Sequence, residues 1–140
     1  MLSIGVATAT AILGFGASAL ASHGTSPAPL NLKTSSANEG STSGTWKFNA
    51  VGVGHGGFQV AVSVCDNVND GNGVYGQGRV EGYGWSSSIG DGNGSAAGCG
   101  WDGREIYDPQ ATWVNRGQYQ VCVDDFGADT CGVSQWFYRH

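Results

Sequence analysis

The clearest periodic stretch is FQVAVSVC at 58–65. Phe58, Val60, Val62 and Val64 fall on one face, and Gln59, Ala61, Ser63 and Cys65 on the other, the alternation of a half-buried strand. TWKFNAVGV at 45–53 sets Trp46, Phe48 and Ala50 against Lys47, Asn49 and Val51 and reads as a second strand. GHGG at 54–57 joins the two as a turn, because glycine accepts the positive φ that tight turns demand. VYGQGRVEGYGW at 74–85, read as one extended run, puts Val74, Gly76, Gly78, Val80, Gly82 and Gly84 on a nearly flat face. Tyr75, Gln77, Arg79, Glu81, Tyr83 and Trp85 fall opposite. SSSIGDGNGSAAGCGWDG at 86–103 reads as a long loop anchored by Cys99, and REIYD as a short strand ended by Pro109. GQYQVCVDD and CGVSQWFYR close the chain as a hairpin. In QWFYRH, Trp136 and Tyr138 share one face, Phe137 and Arg139 the other; one of these faces belongs to the core. Short strands separated by turn signals predict an all-β fold, a small antiparallel sandwich over residues 45–140.

The segment before it has a different character. IGVATATAILGFGASALA is apolar and small and ends in Ala19-Leu20-Ala21, which predicts a signal peptide over 1–21 and a mature chain from Ser22. No Lys or Arg precedes the apolar run, so the true translation start is expected upstream. Residues 22–44 are rich in Ser, Thr, Gly and Pro and read as a flexible, disordered arm. Within it, Leu30 and Leu32 alternate with Asn31 and Lys33, a short strand-like pattern suited to addition on a partner's sheet edge.

Composition narrows the function. The net charge of −5 argues against nucleic acid, which needs a basic patch. After the signal no stretch is apolar enough to span a membrane, so a secreted, extracellular protein is expected. Cys65, Cys99, Cys122 and Cys131 are even in number, and no C-x-x-C spacing suggests zinc. Two disulfides follow. Three pairings exist; Cys122–Cys131 with Cys65–Cys99 is the economical one, since Cys122 and Cys131 flank the hairpin loop VDDFGADT.

Asp-Gly-Asn-Gly occurs twice, at 70–73 and 91–94. As a calcium loop from Asp66, the fifth and sixth positions fit as Asp70 and Gly71, but Val68 stands third and Gln77 twelfth. Asp66 and Asp70 are therefore weak metal candidates, and both copies read as turns. No cofactor is expected. His55, Arg79 and Glu81 are the residues from which ribonuclease-like acid–base chemistry would be assembled, but Arg79 and Glu81 alternating on a strand read better as an ion-paired face. No G-x-S-x-G is present. The reading is of a protein that is not an enzyme. Tyr75, Tyr83 and Trp85 offer an aromatic, polar face suited to sugar rings or to a protein partner.

VSVCDNVNDGNGVYGQ (62–77) and YQVCVDDFGADTCGVSQW (119–136) together resemble small exported proteins of actinomycetes. In that group a strand ending in Cys-Asp, an Asp-Gly turn and a Val-Tyr strand precede a closing hairpin with two Cys and a Trp. The layout is similar to one subset, the small adaptor subunit of secreted umbrella toxin particles. That resemblance implies an exported β domain whose N-terminal arm joins a lectin-like subunit to a toxin-bearing scaffold. The expected function is thus a secreted, non-catalytic interaction or adaptor module, with other secreted proteins as partners. The alternatives are a secreted carbohydrate-binding domain with a glycan ligand, or a small secreted hydrolase or protease inhibitor. For the inhibitor, AAGCGWDG at 96–103 is the candidate reactive loop.

Overall fold

A computed structural model describes residues 23–35, 39–90 and 97–140. The expected signal peptide and the second Asp-Gly-Asn-Gly copy lie outside the described residues. The fold is all-β: two antiparallel sheets stapled by two disulfides. The strands are β1 (Ala28–Lys33), β2 (Gly40–Phe48), β3 (Phe58–Asp66), β4 (Val74–Val80), β5 (Gly98–Ile106), β6 (Arg116–Val123), β7 (Thr130–Val133) and β8 (Phe137–Tyr138). The first sheet has the order β1-β2-β3-β5; in the second, β6 pairs β4 on one side and β7 and β8 on the other.

The core lies between the sheets. Phe58, Val60, Val62 and Val64 of β3 point inward and are almost wholly buried, as their alternation requires. They meet Val74 and Val80 of β4 and Tyr119, Val121 and Val123 of β6. Burying each such side chain stabilises the fold by about 1.5–3 kcal/mol. At one end, Trp46, Phe48, Phe58 and Phe137 form an aromatic cluster in which Trp46 and Phe137 stack with centroids 4.5 Å apart. Phe137 and Arg139 thus take the inward side of the C-terminal stretch.

Three expectations need correction. Residues 28–33 and 40–44, assigned to a flexible arm, are strand. β1 pairs along its whole length with β2, in the register Leu30 to Gly44, and Thr25 continues the attachment through bonds to the Phe48 backbone. Leu30 is buried in the core, which outweighs the local Ser/Thr/Gly composition around it. Next, the run 74–85 is not one strand. It breaks after Val80, Gly82 takes φ +82, and the chain folds back along β4 with Ser86 N–H donating to Gly78 O at 2.8 Å. Last, residues 98–103 are strand rather than loop, held against β3 from Gly98 to Ile106.

The glycine face of β4 is the core face. Gly76 and Gly78 are buried, and a Cβ on Gly78 would lie 2.7 Å from Ile106 Cδ1. The missing side chains make room for large ones from neighbouring strands. Both disulfides tie directly opposed residues of adjacent strands, Cys65 to Cys99 in the first sheet and Cys122 to Cys131 in the second. Neither crosses between the sheets.

Candidate functional site

The expected site residues do not gather in one place. Leu30 is buried and Leu32 packs against the core, so neither is offered to a partner's sheet edge. Tyr75 is the second residue of β4, where its hydroxyl bonds to the Asp129 carboxylate at one end of the sandwich. Partial burial, then the Asp129 bond, push its pKa up to about 12. Trp85 lies past the turn that follows β4, with the Arg79 guanidinium 4.5 Å from its ring centroid. The same guanidinium lies 5.0 Å from Trp136, which Arg116 approaches to 4.5 Å. This Trp–Arg–Trp–Arg stack covers the outer face of β4 and β6. Beneath it Arg79 bonds Gln118, and Gln120 bonds Gln77. Two of these glutamines, Gln118 and Gln120, are buried, so the stack shields a polar layer and Trp85 is committed to it.

Asp66 and Asp70 close turns. Asp66 Oδ1 accepts from Val68 N–H at 3.0 Å, and Asp70 Oδ1 from Asn72 N–H at 3.0 Å. Among the described residues no group of three His, Cys, Asp or Glu side chains gathers to hold a metal ion. His55, Arg79 and Glu81 are each engaged elsewhere. The His55 ring stacks on Tyr107 at 4.9 Å and its Nδ1 pairs with Ala111 O. Glu81 accepts from Asn115 N–H at 2.7 Å and sits 3.8 Å from Arg116.

Tyr83 leads to the surface that stands out. It lies at the end of the sandwich where β2, β4 and β5 finish and β3 and β6 begin. There the loops after β2, β4 and β5 present Val53, Tyr83, Tyr107 and Trp113, with the three aromatics each more than two-fifths exposed. Every aromatic is held by a named neighbour. Tyr83 Oη donates to Asp108 Oδ1 at 2.8 Å, a bond that raises its pKa. Tyr107 is stacked on His55, whose left-handed backbone (φ +54) turns the ring toward it. Trp113 lies across the Gly56 backbone, where a Cβ would come 2.6 Å from Trp113 Cα.

Beneath this end sits Arg139. Its guanidinium donates to Val114 O (2.9 Å), Asn49 O (2.9 Å) and Gly56 O (2.5 Å), and lies 4.9 Å from Phe48 and 5.6 Å from Trp113. Burial lowers its pKa. The clamp ties the loop after β2 to the loop after β5, so the exposed rings sit on a rigid base. Sequence reading identified Tyr83 but not Tyr107 or Trp113, which lie on a different loop; Arg139 was placed only on a face. Comparison with known proteins finds no matching family model, curated protein or solved structure.

Proposed function

We propose that this chain is a secreted, non-catalytic interaction module that binds a protein partner through its loop end. The observation that supports this reading is the set of exposed aromatics Tyr83, Tyr107 and Trp113, each fixed before any partner arrives. Tyr and Trp give large contact area at small entropic cost, and fixing them in advance lowers that cost further. The disulfides suit an oxidising, extracellular setting. No helix among the described residues is long and apolar enough to cross a membrane. The adaptor role implied by the resemblance to umbrella-toxin subunits is compatible with this site, with the loop end rather than Leu30 and Leu32 as the joint.

Size-exclusion of the protein from its native medium, with mass spectrometry of co-eluting chains, tests the reading. A Tyr83→Ser/Tyr107→Ser variant should lose a stoichiometric partner while keeping its near-UV circular dichroism. Phe126→Ser, at the other end, should retain it. Retention by the double variant overturns the loop-end assignment. Exposed ring faces also suit sugars, so the same variants belong on a glycan panel. Saccharide binding that falls with Tyr83 and Tyr107 would replace the protein partner with a glycan.

A further inference from the structure

Among the described residues β5 is an uncovered sheet edge and pairs only with β3. Cys65 and Cys99 oppose each other at 4.0 Å between Cα atoms, the spacing of a non-hydrogen-bonded pair. The alternation then turns the N–H and C=O groups of Cys99, Trp101, Gly103 and Glu105 away from β3. These backbone groups have no hydrogen-bond partner among the described residues. Other edges among the described strands are covered or blunted. The returning segment lies along β4, with Gly76 and Ile89 exchanging two backbone bonds. β7 abuts β1, where Gly132 packs against the Lys33 carbonyl, and β1 carries Pro29. β5 is nine residues long, holds no Pro or Lys, and bears Trp101 at 70 % exposure.

The charges on β5 say what fits it. Asp102 and Arg104 sit on its inward side, both partly exposed; they bridge each other at 3.4 Å, and Arg104 also donates to Ser87 Oγ and Ser88 O. Inward charges on an edge normally repel an incoming strand. A second copy of the same strand, running antiparallel, is the exception. With Gly103 opposite Gly103 of that copy, Asp102 faces Arg104 of the second copy, and Arg104 faces its Asp102. Trp101 then lies opposite Glu105 of the copy and beside its Gly103. A Cβ at Gly103 would meet only Val60 O, at 3.9 Å, so the space above that residue is open to an indole. All N–H and C=O groups of Trp101, Gly103 and Glu105 find partners. Sliding one copy so that Asp102 meets Asp102 sets like charges face to face. Pairing Trp101 with Trp101 instead leaves Asp102 opposite Gly100 and Arg104 opposite Gly98.

We infer that the protein forms a two-fold dimer through β5, its first sheet continuing into that of a second copy. The interface is isologous and closes on itself. It is independent of the loop-end reading, and it would place one loop end at each extremity of the dimer, since the joined strands run in opposite directions.

Sedimentation equilibrium of the purified, oxidised protein over a wide concentration range is the test. The wild type should approach twice the monomer mass at the upper end. Asp102→Arg and Arg104→Asp each set like charges in contact twice and should weaken association on the order of tenfold. The double variant Asp102→Arg/Arg104→Asp swaps the pairs and should restore it. Gly103→Pro removes an edge N–H without touching the β3 ladder and should give a monomer. Near-UV circular dichroism checks that each variant is folded. A wild type that stays monomeric throughout overturns the inference, and so does a dimer whose strength none of these substitutions changes.

Discussion

The hydroxyl of Tyr119 occupies the space that a side chain at Gly76 would need: a Cβ there would collide with it. Tyr119 is fully buried and its Oη lies 3.1 Å from Thr42 Oγ1, so the ring bridges the two sheets and has nowhere to move. Gly76→Ala should therefore destabilise the domain by about 1–3 kcal/mol, the usual range for overpacking. Urea unfolding of the variant checks it. An unchanged midpoint would mean that the ring yields.

Tyr119 also sets a pH dependence. Burial raises its pKa from 10.0 to about 12, with the charge of Asp102 adding and the Thr42 bond opposing. In the unfolded chain the phenol loses its proton near its ordinary value, while in the fold it keeps it. The contribution is fully present below pH 10 and is lost as pH rises through about 12. Over that window Tyr119 should cost the fold on the order of 2 kcal/mol. Unfolding curves across this range should flatten in Tyr119→Phe relative to wild type.

Arg139 anchors three carbonyls from two loops, Asn49 and Gly56 after β2 and Val114 after β5. Arg139→Ala should cost about 3–5 kcal/mol, because buried acceptors lose charge-assisted donors. Arg139→Lys should recover only part, since an ammonium lacks the planar fork. Thermal denaturation measures both. Near-native stability of the alanine variant would show that water replaces the guanidinium at low cost.

The two disulfides should contribute unequally. Cys65–Cys99 closes a separation of 34 residues and Cys122–Cys131 one of 9. On the chain-entropy account these give about 4 and about 2.5 kcal/mol. Paired Cys→Ser variants, Cys65/Cys99 against Cys122/Cys131, should differ in that order in denaturant midpoint.

β3 was legible because four apolar residues alternate without interruption and all four are core. β1 was not: Leu30 and Leu32 carry the right period, but the surrounding Ser, Thr and Gly give no sign that β2 already lies alongside. The break after Val80 was hidden because glycines at every second position continue the strand period into the turn at Gly82. β5 escaped notice for a related reason, since apart from Ile106 its inward positions are Gly98, Gly100, Asp102 and Arg104. The disulfide pairing could be read in advance because the hairpin between Cys122 and Cys131 left little choice. The loop-end site could not, because its rings are distant in sequence and meet only where strands end.

The position of Cys99 has a meaning beyond stability. Most strands find their alignment because a slip by one residue would turn apolar side chains into water. β5, with almost none facing inward, has little such memory of where it belongs. The covalent bond to Cys65 supplies it, fixing which face of the strand shows Trp101 and which shows Asp102 and Arg104. For this strand the bridge is a source of information: it specifies an address that the side chains alone leave unwritten.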